Sequence, residues 1–278
     1  MKIVFFGASR YVIPVIELLF KHYDLSLVVT TEQNSSDIIP SYCQSKKIPY
    51  ISISNFDNKI KQQLKDLNPT LGVLGYFGII LPQDVLDIFS LGILNIHPSL
   101  LPLYRGATPV QSAILNGDSE TGTTIIRLDA QMDHGQILDQ EKEPIHEGDT
   151  TDSLHEKLFK KGALMLKRLI PDYVSGKIQL HDQDEKKVTF TKRSLTRQDG
   201  YFDIENPPAP KELDQMIRAY YPWPAVWTNI RINQEKVKRI KFLPENKLQA
   251  EGGKPMSVKD FLNGYPELKE KLYILLGL

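Results

Sequence analysis

Apolar and polar positions follow two different periods along the first two thirds of the chain. Residues 2–6 form a short apolar run closed by Gly7, and residues 12–20 carry apolar side chains at helical spacing. The pattern then repeats. Runs at 25–29, 50–53, 71–76 and 91–96 predict strands, and stretches 38–46 and 60–67 predict helices. The runs at 71–76 and 91–96 are apolar without alternation, as expected for strands covered on both faces. A βαβα rhythm of this kind predicts a mostly parallel sheet with helices on both sides. Ligands of such sheets lie beyond the carboxyl ends of the strands. Residues 123–128 and 136–143 read as later strands. Residues 151–174 read as a long amphipathic helix, with Asp149, Thr150 and Thr151 as capping candidates.

The rhythm then stops. Gly176, Asp182, Asp184 and Glu185 mark a polar exit, 188–191 is extended, and 194–200 reads as a linker. Pro207, Pro208 and Pro210 exclude a helix interior or a central strand. A short helix at 212–220 and strand-like runs at 227–232 and 237–242 follow, a pattern that suits a small barrel-like module. The expected division is a large α/β unit over 1–185, a linker over 186–200 and a small unit over 201–278.

Composition adds limits. With 41% hydrophobic and 24% charged residues, the 278-residue chain is neither disordered nor fibrous. Lys+Arg and Asp+Glu are 34 each, which excludes a uniformly basic coat for nucleic acid. The distribution is uneven, however. Residues 1–185 hold 17 basic and 23 acidic side chains, a charge of −6, and residues 186–278 hold 17 and 11, a charge of +6. Two halves of opposite sign point to two units with different tasks. Cys43 is the single cysteine, so neither a disulfide framework nor a cysteine metal cluster is expected. The N-terminal apolar run is too short for a signal peptide, and no stretch reaches the roughly 18 apolar residues of a spanning helix. The expectation is a cytoplasmic monomer with no metal and no membrane contact.

The turn Phe6-Gly7-Ala8-Ser9 lacks the second and third glycines of a dinucleotide site. The informative stretch is Asn95-Ile96-His97-Pro98-Ser99-Leu100-Leu101-Pro102, followed by Arg105-Gly106. In an extended chain Asn95 and His97 point the same way. An amide beside an imidazole can hold the charge that develops on a carbonyl oxygen, and the imidazole can move a proton near neutral pH. The other reading is a buried pair that ties down a loop. Asp129-Ala130-Gln131-Met132-Asp133-His134-Gly135 offers a carboxylate, Asp133, that either orients His97 or belongs to a polar turn.

Taken together these segments resemble the folate-dependent formyltransferase family. The resemblance rests on Gly75-Tyr76-Phe77-Gly78-Ile79-Ile80-Leu81-Pro82, on the Asn95 to Pro102 stretch with Arg105-Gly106, on Gly117-Asp118-Ser119-Glu120-Thr121-Gly122, and on Met132-Asp133-His134-Gly135. It extends to Arg218-Ala219-Tyr220-Tyr221-Pro222-Trp223-Pro224 and Trp227-Thr228, which favour the tRNA branch. The resemblance implies a Rossmann-like, mostly parallel catalytic domain followed by a small OB-like β-barrel. It implies 10-formyltetrahydrofolate as donor and methionyl-tRNA as partner and acceptor, with a sugar nucleotide amine as the alternative acceptor. Its triad falls on Asn95, His97 and Asp133. Folate contacts fall on Ser99, Leu100, Leu101 and Pro102, and on Tyr76, Gly78, Ile80, Leu81 and Asp129. Contacts to tRNA are expected from Arg105 and from the basic C-terminal set Lys192, Arg193, Arg197, Arg231, Lys236, Lys238, Arg239 and Lys241. One departure stands out. The family carries a long basic loop after the second strand, whereas residues 30–37 here are short and hold two acids.

Overall fold

The computed structural model describes residues 1–32, 38–192, 194–231 and 237–278. The elements run β1 (Lys2–Phe6), α1 (Ile13–His22), β2 (Asp24–Thr31), α2 (Ile38–Lys46), β3 (Tyr50–Ile53), α3 (Asn58–Leu67), β4 (Leu71–Leu74), α4 (Gln83–Leu86), β5 (Ile93–His97), α5 (Pro109–Leu115), β6 (Glu120–Arg127), β7 (Gln136–Pro144) and α6 (Thr151–Val174). After α6 come α7 (Pro210–Ala219), β8 (Val226–Arg231), β9 (Val237–Leu243), β10 (Lys247–Ala250), β11 (Met256–Ser257), α8 (Val258–Gly264) and α9 (Lys269–Leu276).

The seven strands β1 to β7 form one sheet in the order β3-β2-β1-β4-β5-β6-β7. The pairs among β1 to β5 are parallel, and β6 runs antiparallel to β5. This is a Rossmann-like, mostly parallel α/β sheet. The strand order reverses between β1 and β4, so a switch point, where such sheets hold ligands, opens at their carboxyl ends, and β5 lies next to β4. Alternation along β1 and β5 feeds two cores. Ile3, Phe5, Leu94 and Ile96 join one cluster with Val12, Ile16, Phe159 and Leu166, and Val4, Phe6 and Ile93 join the other with Leu64, Phe77 and Phe89. Each such fully buried side chain contributes roughly 1.5–3 kcal/mol. Strand β4 ends two residues before the apolar run does, because Tyr76 takes a left-handed conformation, with φ at 51°, and turns the chain outward. Of the three capping candidates for α6, Thr150 accepts from the Ser153 backbone N–H at 3.2 Å.

A second sheet is antiparallel and sequential, in the order β11-β10-β9-β8. Its inner face carries Val226, Thr228, Ile230, Ile240, Phe242, Leu248 and Ala250, all buried.

The chain divides into two compact units, and the division is not the contiguous one expected. One unit comprises Met1–Ala107, Thr121–Glu143 and His155–Thr191, and the other Thr108–Glu120, Pro144–Leu154 and Lys192–Leu278. Two inserts of the first half thus belong with the C-terminal unit. There α5 packs on α7, and the Thr151 hydroxyl donates to the Ala219 carbonyl at 2.6 Å. The stretch expected to begin a linker at 186 stays in the first unit through Thr191. Among the described residues no helix is long and apolar enough to cross a membrane, and no group of three or more His, Cys, Asp or Glu side chains is placed to hold a metal ion.

Candidate active site

Strand β5 is buried at all five positions. Alternation sends Leu94 and Ile96 into the core shared with α6 and leaves Asn95 and His97 on the opposite side. Both are almost inaccessible, at 5% and 4% exposure. Asp133 comes from the loop between β6 and β7 and meets them. Its Oδ1 accepts from Asn95 Nδ2 at 3.3 Å and lies 3.4 Å from His97 Nδ1. Its Oδ2 accepts from the Gly106 backbone N–H at 2.9 Å. On the other side of the ring, His97 Nε2 faces the Tyr104 carbonyl oxygen at 3.0 Å. A carbonyl oxygen only accepts, so Nε2 carries a proton there. The other ring nitrogen, Nδ1, is turned toward the Asp133 carboxylate. The sequence expectation that Asn95 and His97 face one way therefore holds, and Asp133 lies beside them.

Three non-glycine residues around this cluster sit in the left-handed region: Tyr76 (φ 51°), Tyr104 (φ 62°) and Asp133 (φ 50°). Each such conformation costs on the order of 1–3 kcal/mol and persists only where the surroundings enforce it.

A cavity of about 180 Å³ opens against the cluster. Leu74, Ile79, Ile80, Leu81, Leu86 and Leu128 give it apolar walls, residues 129–132 form its rim, and Asn95 and Asp133 supply its polar end. Of the expected folate residues, Ile80, Leu81 and Asp129 line it. Tyr76 and Gly78 are exposed on the same loop. Ser99 and Leu101 are buried and occupied by the fold. The Ser99 hydroxyl donates to the Leu103 carbonyl at 2.6 Å, and the Leu101 N–H donates to the Thr124 hydroxyl at 3.1 Å. Leu100 and Pro102 are half-buried, and none of these four lines the cavity.

Arg105 requires a correction. It was expected to face tRNA, but it is only 3% exposed. Its guanidinium donates to Gln183 Oε1 through Nε at 3.0 Å and Nη2 at 2.8 Å, and to Glu185 at 2.6 Å. This contact holds the Glu185 carboxyl below the usual carboxylate range. Gln183, Glu185 and Thr189 were not singled out as site residues. Thr189 accepts at its hydroxyl from the Tyr104 N–H at 2.8 Å and at its carbonyl from the Arg105 N–H at 2.9 Å. These partners lie 78 to 85 positions away in the chain, so no local motif announces them. His134, in the same loop, bonds through Nδ1 to Asp129 Oδ2 at 2.6 Å.

The remaining basic candidates belong to the second unit. Arg193 and Lys236 lie outside the described residues. Lys192 pairs with Asp199, which lowers that carboxyl's pKa. Arg197, Arg231 and Lys241 are exposed. Arg239 lies with its guanidinium 4.7 Å from the Trp227 ring centre, on the same side of the sheet as Lys241. Lys238 points the other way and donates to the Tyr265 hydroxyl at 2.7 Å, so it leaves the basic face.

Residues 24–170 match the family described as Formyl transferase. A methionyl-tRNA formyltransferase of Roseiflexus castenholzii is 49% identical over 60% of this chain, and the match spans 53% of that protein, about half its length. One from Chloroflexus aggregans is 37% identical over 82% of this chain and 76% of its own length. Among solved structures, the N-formyltransferase of Helicobacter canadensis in complex with folinic acid and dTDP-3-aminofucose shares the fold. Its TM-score is 0.64 at 19% identity, covering 92% of this chain and 98% of that one.

Proposed function

The chain belongs to the formyl transferase family, and from that membership we propose that it transfers the formyl group of 10-formyltetrahydrofolate to the α-amine of methionyl-tRNA in the cytoplasm. The observation that carries the reading is the convergence of Asn95 and His97 on the Asp133 carboxylate, at 3.3 and 3.4 Å, with Asn95 and Asp133 forming the polar end of an apolar-walled cavity. The fit to a folate is chemical. A flat ring system with hydrogen-bonding edges suits apolar walls that end in an amide and a carboxylate. Ile80, Leu81 and residues 129–133 hold the pterin in this proposal, and Ser99, Leu100, Leu101 and Pro102, with Tyr76 and Gly78, border the rest of the donor.

The donor brings a formyl carbon bonded to N10, which the neutral amine attacks directly. Asn95 has two amide hydrogens, and Asp133 takes one. The second is free to meet the developing oxyanion. His97 or a nearby water moves the proton from the amine toward N10 as the intermediate collapses. Asp133 holds the ring in place through Nδ1. Asn95→Ala is expected to lower kcat by about 100- to 1000-fold, the usual effect of removing an oxyanion donor, and His97→Ala by about 100- to 10,000-fold, the usual contribution of a positioned acid–base group. If both variants kept the turnover of the wild type, the site assignment would fall.

The acceptor is decided by supplying the donor with methionyl-tRNA or with an amino-sugar nucleotide and following the formyl group. Transfer to the sugar alone would replace this reading with the sugar-nucleotide one. The exposed cations Arg197, Arg231 and Lys241, with Arg239, are proposed to meet tRNA phosphates. An OB-like reading of the second sheet belongs to the same proposal, supported by the β8-β9-β10 meander.

A further inference from the structure

Gln183 lies in the segment that follows α6, far in sequence from the triad and outside every motif that carries the family resemblance. It is 9% exposed. Its side-chain amide uses all four of its hydrogen-bonding positions. Nε2 donates to the Asp133 carbonyl and to the Gly135 carbonyl, both at 2.8 Å. Oε1 accepts twice from Arg105, at 3.0 and 2.8 Å. The orientation of the amide is thereby fixed. Turned over, its oxygen would face two carbonyl oxygens, its NH2 group would face a guanidinium, and all four bonds would be lost.

These bonds close a ring. Asp133 Oδ2 accepts from the Gly106 N–H, Gly106 follows Arg105 in the chain, Arg105 donates to Gln183, and Gln183 donates to the backbone of Asp133. The ring includes a residue in a sparsely populated backbone conformation, since Asp133 is left-handed at φ 50°. Gly135 closes the turn from the other side. A methyl there would lie 1.9 Å from the Arg127 carbonyl oxygen, so the turn has no room to move that way. Arg105 is itself buried and gives its hydrogen bonds to the buried Gln183 and, at its outer end, to the exposed Glu185.

We infer that Gln183 is a positioning residue for the site: its amide, anchored on the buried Arg105, holds the Asp133 turn so that the carboxylate meets His97 and Asn95. The inference rests on the formyl-transfer reading for its kinetic consequence, but not for its geometric one. Gln183→Glu is the discriminating variant. It keeps the shape of the side chain and an acceptor for Arg105, and it replaces the two donors with oxygen lone pairs that repel the carbonyls of Asp133 and Gly135. With the cooperative unfolding transition retained, kcat should fall about 100-fold, the cost of misplacing a catalytic group by roughly an ångström. KM for donor and acceptor should stay within about twofold. The 15N resonance of His97 Nδ1, read at one fixed pH, should move from its wild-type position toward that of Asp133→Asn.

A folded Q183E with wild-type kcat and an unmoved His97 signal would overturn the inference. So would a variant with a lower melting temperature whose His97 signal does not move, because that is a structural role alone. If Q183E does not fold, Gln183→Met, uncharged and of similar volume, is read by the same criteria. If the wild-type protein transfers no formyl group, the functional reading fails, and the His97 resonance still decides the role of Gln183.

Discussion

Gly135 shows how narrow the tolerance of the site is at the level of one residue. A methyl at this position would lie 1.9 Å from the Arg127 carbonyl oxygen and 2.9 Å from its carbon, and both are backbone atoms. No rotamer change relieves that, so Gly135→Ala must push the turn that carries Asp133. Overpacking of this kind costs about 1–3 kcal/mol. For a chain of this size that corresponds to a fall in melting temperature of roughly 2–12 °C, measurable by calorimetry. The same variant should lose turnover beyond its loss of stability, because Asp133 moves with the turn. The glycine was legible as part of Met-Asp-His-Gly, but its reason was not, since Arg127 is a neighbour only once β6 and β7 are formed. Cys43 gives a second test at this scale. Burial pushes its thiol up to about 11 from 9.0, so at pH 8 the native thiolate fraction is about a hundredfold lower than in the unfolded chain. Labelling by a thiol reagent should then follow global unfolding, and rapid labelling of the native protein would contradict the burial. The folded value lies above the unfolded one. The neutral thiol therefore stabilises the fold fully below pH 9 and progressively less as pH climbs toward 11.

At the scale of elements, the strands from β1 to β9 and the long helices were legible because each covers its own period of the apolar pattern, whereas β10 and β11, of four and two residues, left no such run. Strands β1, β4 and β5 read as uninterrupted apolar runs, and α6 as a long helical stripe. The short elements were not. Helices α4 and α5 have four and seven residues, fewer than the pattern needs to distinguish a helix from a turn. The site depends on an element contact that the sequence also hid. A methyl at Gly162, within α6, would meet Ile96 Cγ2 at 2.6 Å and Thr123 Cγ2 at 3.4 Å. Ile96 lies between Asn95 and His97 on β5 and is only 1% exposed. Helix propensity favours Ala over Gly by about 1 kcal/mol, but a β-branched core side chain has no free rotamer in which to yield. Packing should win over propensity. Gly162→Ala is expected to lower the denaturant midpoint with an unchanged m-value, and to reduce kcat through displaced β5 side chains. A stabilised variant with full turnover would show that α6 sits further from the sheet than these contacts require.

Across the whole molecule, the opposite charges of the two halves were legible and the division into units was not. Residues 108–120 and 144–154 join the second unit through partners such as Ala219, which lie too far along the chain for any local signal. What the +6 charge of residues 186–278 does depends on where it is exposed, and alternation along the second sheet decides that. On β8 and β9, Trp227, Asn229 and Arg231 share one face with Arg239 and Lys241, whereas Lys238 is turned toward Tyr265. Lys192 and Lys247 spend part of their charge on Asp199 and Glu245. The effective footprint is therefore smaller than the count of basic residues suggests. Arg231 and Lys241 are its freest members, being exposed strand residues outside the triad. If they neutralise phosphates, each contact contributes about 0.7–0.9 to the slope of log K against log salt. Changing both to Glu should flatten the slope for tRNA binding by about 1.5 and weaken binding most at low salt. Turnover at saturating acceptor should stay near wild type, because phosphate contacts of this kind hold the substrate without touching the reacting carbon. An unchanged slope would remove this face from the acceptor site and leave the net charge of the half as a matter of solubility alone.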